Sequence, residues 1–375
     1  MGTLRTIIDV HVLQTLPPSC LNRDDTGSPK TAVYGGVPRA RVSSQSWKRA
    51  TRQYFNENLL EPEERGVRTR RVVELIEGRL KTLLGTPAEG RDKELNELVK
   101  TALDGLGLKE KKGDLSEYAL FLSTRQVDAI VELLVNRFEA GENTVEPEVV
   151  LELAGKAHSL DVALFGRMIA DTTSLNVDAA CQVAHAISTH RVSPEFDFFT
   201  AVDDLNPASE PGAAMMGYVE FNSATLYRFA TIGAELLAAN LGGSDGVAGG
   251  VCAFVEAFVK SLPTGHQNTF AAMTLPDLVI VSLRNDQPVS LVGAFEEPVS
   301  ANGGHVRQSA ERLVSYMDEV DSAYGVPRVA AWATSLSGAA EAAQRLGGLR
   351  PLPGLLDALE QAVGQRLATT TDRPS

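Results

Sequence analysis

The sequence predicts an α+β fold, a sheet covered by helices on one side and interrupted by a long helical insertion. Three patterns carry this: an alternating strand at the start, a block of helical periodicity from Val72 to Phe138, and a compact apolar run from Leu275 to Leu283. With 375 residues, 43% of them hydrophobic, the chain is long enough for one substantial core plus an inserted subdomain, or for two domains.

Ile8, Val10 and Val12 alternate with Asp9 and His11, the period of two of a half-buried opening strand. LPPSCLNRDDTGSPKTAVYGGVPRA follows, dense in Pro, Gly, Asn and Asp. It reads as a long ordered loop, and loops this long in compact domains tend to carry function. In SSQSWKRATRQYFNEN, capping serines precede good helix formers, so a helix should begin near Ser44 or Ser46. Val72, Ile76, Leu80 and Leu83 form one helical stripe; Val127, Ile130, Val131, Leu134 and Phe138 form another. Between them, Gly105 to Gly113, with Lys109, Lys111 and Lys112, reads as an exposed loop.

His185 and His190 in CQVAHAISTH fall on a predicted helix with no carboxylate or thiol at ligand spacing, and read as structural. FDFFTAVDDL, MMGYVEF and TLYRFATI are aromatic-rich strands of a hairpin or short sheet. LPDLVIVSL is a buried central strand, and amphipathic helices at Val251 to Leu262, Val306 to Val320 and Leu355 to Leu367 supply the cover. The tail TTTDRPS is expected to be disordered. A ferredoxin-like or RNA-recognition-type β-α-β-β-α-β core is compatible with this order.

Composition narrows the function classes. No apolar run approaches a membrane span or a signal core, so a soluble, cytoplasmic protein is expected. Cys20, Cys181 and Cys252 are scattered without CxxC spacing, which argues against a zinc site or a disulfide framework and for reduced, structural cysteines. No GxGxxG or GxxxxGK[ST] motif supports nucleotide hydrolysis, and no metal or other cofactor is expected. The net charge is −13, yet residues 1–52 hold eight Lys or Arg against three acids, +5, which leaves −18 for the rest. One positive face on an acidic body is the pattern of a localised nucleic-acid contact.

Within that segment, Ser43, Ser44, Gln45 and Ser46 precede a helix whose first turns carry Lys48, Arg49 and Arg52. Hydroxyls, helix-end amides and cations then converge as a phosphate cradle, although the same spacing suits a capped surface helix with solvated cations. Arg23 and Lys30 in the preceding loop favour phosphate. Asp24 and Asp25 beside them could hold Mg²⁺ for RNA cleavage, or simply bond within the loop. Phe196, Phe198, Phe199 and Thr200, with Met215, Met216 and Tyr218 on the returning limb, place apolar groups on both faces of one hairpin. Such a hairpin stacks on bases, meets another subunit or packs as core. Gly166, Arg167 and Met168 follow an apolar stretch, where Gly permits close approach and Met could act as a soft wedge.

The strings PSCLNRDDTGSPKTAVYGGVPRARVSSQSWKRA, ALFGRM, AHAISTHRV, FDFFTAVDDL and LYRFATI, in this order, resemble the CasC family, the backbone subunit of the type I-E CRISPR surveillance complex called Cascade. The resemblance implies an RNA-recognition-like palm (1–60, 159–192 and 225–368), helical fingers (61–158), a β-hairpin thumb (193–224) and a tail (369–375). It implies a non-catalytic, multi-copy protein that binds CRISPR RNA (crRNA). Its partners would be target DNA through the guide, further copies of itself, and large, small, CasD-type and CasE-type subunits.

By motif position, Arg23, Lys30, Ser43, Gln45, Lys48, Arg49 and Arg52 match the palm's grip on RNA. Gly166, Arg167 and Met168 match the accompanying loop, and Phe198, Phe199, Thr200 and Met216 match the thumb that segments the guide. The stretch from Gly141 to Gly155 holds Glu142, Glu146, Glu148 and Glu152 and no Lys or Arg, so a DNA path would favour the Lys109 to Lys112 loop. The alternative, from related backbone subunits, is a metal-dependent ribonuclease using Asp24 or Asp25.

Overall fold

The computed structural model describes residues 5–104, 106, 110–111, 115–116, 119–170, 172–202, 213–300 and 302–371. They fall in two compact units: Met1–Tyr54, Val183–Thr231 and Cys252–Thr369 in the first, Phe55–Gln182, Ile232–Val251 and Thr370–Ser375 in the second. Lys109, Lys112 and the side chain of Lys111 lie outside the described residues. Among the described residues no helix is long and apolar enough to cross a membrane.

The first unit is organised by a sheet whose neighbouring strands are, in order, Ala330–Ser335, Leu278–Arg284, Ile7–Ser19, Ala213–Gly233, Ala186–Ser188, Val37–Val42 and Thr31–Tyr34. The second to fifth of these strands, with helix Ser44–Tyr54 after Ile7–Ser19 and helix Val247–Lys260 after Ala213–Gly233, have the chain order β-α-β-β-α-β. This is the ferredoxin-like arrangement expected from the sequence. Val10↔Val281 and Val12↔Val279 pair antiparallel in the centre.

The cover differs from expectation, because helices lie on both faces. On one, Trp47 of Ser44–Tyr54 meets Phe258 of Val247–Lys260 at 6.4 Å, with Arg228 of the sheet stacked over Trp47 at 3.7 Å. On the other, Tyr227 and Phe229, the alternate side chains of the same strand, join Leu313, Val314 and Met317 of helix Val306–Tyr324.

The opening strand is therefore buried on both sides, and its apparent polar face is internal: Asp9 and His11 are fully buried. Asp9 pairs with Arg284 at 3.2 Å and accepts from the Val289 amide. The Tyr227 hydroxyl accepts from the Leu291 amide at 2.9 Å and shares a hydrogen bond with Nδ1 of His11 at 2.9 Å.

Burial pushes the Asp9 carboxyl up to about 6 and the His11 imidazole down to about 3. His190, stacked on His305 at 3.6 Å, is held down to about 4, chiefly by burial. Each imidazole, ordinarily near 6.5, binds fewer protons folded than unfolded between pH 4 and 6, so its contribution to stability rises with pH. Asp9 does the reverse, since its folded value lies above the ordinary 3.8. Each such imidazole accounts for at most one proton of that difference, or about 1.4 kcal/mol per pH unit. His190→Gln should flatten the rise of the urea midpoint between pH 4 and 6 by about that slope; an unchanged profile would show that His190 is already charged when folded.

Local readings differ in several places. The long loop contains a hairpin, Thr31–Tyr34 with Val37–Val42, turned by Gly35 and Gly36 at φ +58° and +75°, the left-handed pair that a two-residue turn requires. His185 and His190 follow short strands, Cys181–Val183 and Ala186–Ser188, and lie on no helix. The two limbs MMGYVEF and TLYRFATI are one continuous strand, Ala213–Gly233. Helix Leu352–Thr371 extends into the segment expected to be disordered; 372–375 lie outside the described residues.

The second unit packs helices Val72–Leu84, Asp92–Asp104, Thr124–Glu139 and Pro147–Gly155 around Ile76, Leu80, Leu95, Leu98, Ile130 and Leu134. Leu84, not Leu83, completes the first stripe, since the 72, 76, 80 spacing continues to 84, and Leu83 is 66% exposed. Ser123 and Gln126 form a capping box that starts Thr124–Glu139. Glu142 and Glu146 are both paired with Arg137, and Glu152 with Lys156. This unit also takes in residues 159–182, which the sequence division gives to the palm.

Candidate nucleic-acid interface

Helix Ser44–Tyr54 is two-sided. Trp47, Ala50 and Thr51 are buried, while Gln45, Lys48, Arg49 and Arg52, at spacings of three and four, share the opposite stripe. Gln45 and Arg49 are exposed; Lys48 and Arg52 are half-buried. The helix starts at Ser43, whose Oγ accepts from the Ser46 amide at 3.3 Å and whose carbonyl takes the Trp47 amide. Three of the helix-end amides, those of Ser43, Ser44 and Ser46, already have acceptors within the chain. Ser43 N–H donates to Asn22 Oδ1 at 2.9 Å and Ser44 N–H to His185 Nδ1 at 3.2 Å. Ser43 is buried as the cap, and the cationic side chains of the helix supply the charge at this end.

The basic loop is tied to the same helix through Asn22. Arg23 is exposed and bridges Pro29 across the loop; Lys30 is half-buried, with its amide on the Asn22 carbonyl at 2.9 Å. Asp24 Oδ1 accepts from Thr26 Oγ at 2.7 Å, Thr26 N–H at 2.9 Å and Ser28 N–H at 3.0 Å. These bonds, the Thr26 hydroxyl first, hold the carboxyl below its usual value. Asp24 thus builds its own loop, and Asp25 beside it is exposed. Of the eight cations in this segment Arg39 is not at the surface. It is buried and donates to the carbonyls of Tyr34, Ser188, Phe295 and Glu296.

A groove of about 470 Å³ runs between the basic loop at Asn22 and Arg23, the helix at Ser46, Arg49 and Gln53, and the segment Pro263 to His266. Sequence reasoning missed the last wall. Its only signal was the Pro-Thr-Gly turn after a helix, which marks a loop and nothing more.

The hairpin pairs Glu195–Val202 with the start of Ala213–Gly233, Phe198 opposite Tyr218, Phe199 opposite Gly217 and Thr200 opposite Met216. Phe196, Phe198, Thr200, Met216 and Tyr218 share one face and are all exposed, with the Phe198 and Tyr218 rings 5.2 Å apart. Phe199 lies on the other face across Gly217, where a Cβ would sit 2.7 Å from its ring. The missing side chain seats the aromatic. Residues 203–212, which hold part of FDFFTAVDDL, lie outside the described residues.

Gly166, Arg167 and Met168 belong to the second unit. Gly166 has φ +76°, and a Cβ there would meet the Val177 carbonyl oxygen at 2.7 Å. Arg167, expected to face a ligand, is buried instead: its guanidinium donates to the Leu175, Phe121 and Ala154 carbonyls and to Gln126 Oε1, and burial lowers it to about 10. It ties the unit together. Met168 beside it is 85% exposed and remains the side chain that loop offers.

A ferredoxin-like sheet bearing a basic helix stripe and an exposed apolar hairpin defines the class, an α+β protein. The chain belongs to the family described as CT1975-like protein, which matches residues 8–359. It is similar to a solved chain titled "CRISPR RNA-guided surveillance complex, pre-nicking", with TM-score 0.84 and 32% identity, covering 95% of this chain and 100% of that one. A second, titled "CRISPR RNA-guided surveillance complex", has TM-score 0.75 and 27% identity over 95% of this chain and 99% of that one. No curated protein sequence matches.

Proposed function

We propose that this chain is the non-catalytic, multi-copy backbone of a type I-E CRISPR surveillance complex, holding the phosphate backbone of crRNA and segmenting the guide with its hairpin for pairing with target DNA. The observation that carries the reading is the stripe Gln45, Lys48, Arg49 and Arg52, turned away from a helix face locked into the core. Side chains of that kind position a nucleic acid by its backbone and leave sequence to base pairing. The hairpin supports the second half: its exposed Phe198, Tyr218 and Met216 suit stacking or wedging between bases, worth roughly 1–3 kcal/mol per base. Other copies and other subunits of the complex are the partners this role requires.

The test is the complex co-expressed with crRNA. Phe199→Ala with Met216→Ala should leave the chain folded and RNA-bound, yet erase the periodic pattern of nucleotide reactivity along the guide. An unchanged pattern would overturn the segmenting role. Complementary labelled RNA incubated with the same complex and Mg²⁺ should stay intact; regular cuts lost on Asp24→Ala would replace the scaffold by a ribonuclease.

A further inference from the structure

The arginines of the groove explain attraction to phosphate, which RNA and DNA share. Its other polar lining comes from Asn22, Ser46, Gln53, Thr264 and His266. At about 470 Å³ the groove lies within the roughly 300–1,000 Å³ range of sites that hold a small ligand, so it is wide enough for a sugar as well as a phosphate.

Its far wall is fixed. A Cβ on Gly265 would lie 2.3 Å from the Leu21 carbonyl oxygen, so the segment abuts the backbone of the basic loop directly. His266 adopts φ +48°, and so does Ala271 at +47°, bracketing the short turn Gln267–Phe270. A left-handed non-glycine backbone is uncommon and persists where the surroundings over-determine it. Here the His266 carbonyl takes the amides of Thr269 and Phe270 at 3.0 and 3.1 Å, and the imidazole sits 6.3 Å from the Phe270 ring.

We propose that this groove reads the ribose 2′-hydroxyl of the bound strand, with Thr264 and His266 as the discriminating groups and Arg23 and Arg49 on the adjoining phosphate. The inference rests on the RNA-binding reading above. A hydroxyl both donates and accepts, and is the one group that separates RNA from DNA at a given position. A threonine hydroxyl and an imidazole offer the complementary pair; a guanidinium only donates.

The experiment measures binding of the full chain to a single-stranded RNA and to the deoxy strand of the same sequence, for the wild type, Thr264→Val with His266→Gly, and Arg49→Ala. Valine keeps the shape of threonine, and glycine accepts the left-handed backbone. The double variant should lose about tenfold in RNA affinity and none for DNA, with Thr264→Ser retaining the preference. Arg49→Ala should weaken both strands alike. Equal losses on RNA and DNA in the double variant, or an unchanged RNA affinity where Arg49→Ala still weakens both, would overturn the ribose assignment alone. If Arg49→Ala also leaves RNA affinity untouched, the RNA-binding reading itself falls, and this inference with it.

Discussion

Replacing Lys48 and Arg49 together with alanine is expected to weaken guide-RNA binding about a hundredfold at low salt, at roughly tenfold per charged contact. The signature that identifies the mechanism is the salt dependence. Each phosphate neutralised on a single strand contributes about 0.7 to the log–log slope, so two lost contacts should lower it by about 1.4. Both residues lie on the stripe opposite Trp47, Ala50 and Thr51, and Arg49 also borders the groove. The double change therefore removes charge from a face the core does not use, and the urea midpoint should move by less than about 1 kcal/mol equivalent. A large affinity loss with an unchanged slope would mean the helix had shifted and had not simply lost two cations. The amides of Ser43, Ser44 and Ser46 cannot compensate, since they already have acceptors.

What the sequence made legible follows from where the decisive forces act. Helix Ser44–Tyr54 was readable because its cap, its apolar stripe and its cationic stripe are all local. The same holds for helices Val72–Leu84 and Thr124–Glu139 and for the uninterrupted strand Leu278–Arg284. The segment around His185 was not readable: its short strands exist through pairing with Ala213–Gly233, as in Leu226↔Ser188, and such contacts override local propensity. Asp9 and His11 looked like a solvated face because the groups that make their burial tolerable, Arg284 and Tyr227, lie more than 200 residues away. Arg167 and Arg39 show the converse. Arg167 reads as a ligand-facing residue and Arg39 as part of the positive charge of residues 1–52, yet both guanidinia serve backbone carbonyls in their own units. Nothing in the pattern of Pro263 to His266 revealed a groove wall, since its position depends on Gly265 abutting Leu21.

The largest stability effect should come from Arg228, which joins the sheet to the two helices on the Trp47 side. It is fully buried with no carboxylate partner among the described residues, lying 3.7 Å over Trp47 and 4.4 Å over Phe258 while donating to Gln14 Oε1 at 2.6 Å and to the Phe258 carbonyl. Burial draws the guanidinium down to about 9, so it is still charged at neutral pH and is held by π faces and neutral acceptors. Arg228→Ala opens a cavity beneath Trp47 and strands both acceptors, an expected loss of about 3–5 kcal/mol read from the urea midpoint of the first unit. Arg228→Met refills most of the volume and leaves only the unpaired acceptors, about 1–3 kcal/mol. The two variants separate packing from hydrogen bonding; equal losses would place the whole effect in the polar contacts. Because Trp47 anchors the helix that presents Lys48 and Arg49, Arg228→Ala should also weaken RNA binding. It keeps every surface cation, so the salt slope should remain that of the wild type, which distinguishes a misplaced basic stripe from a missing one.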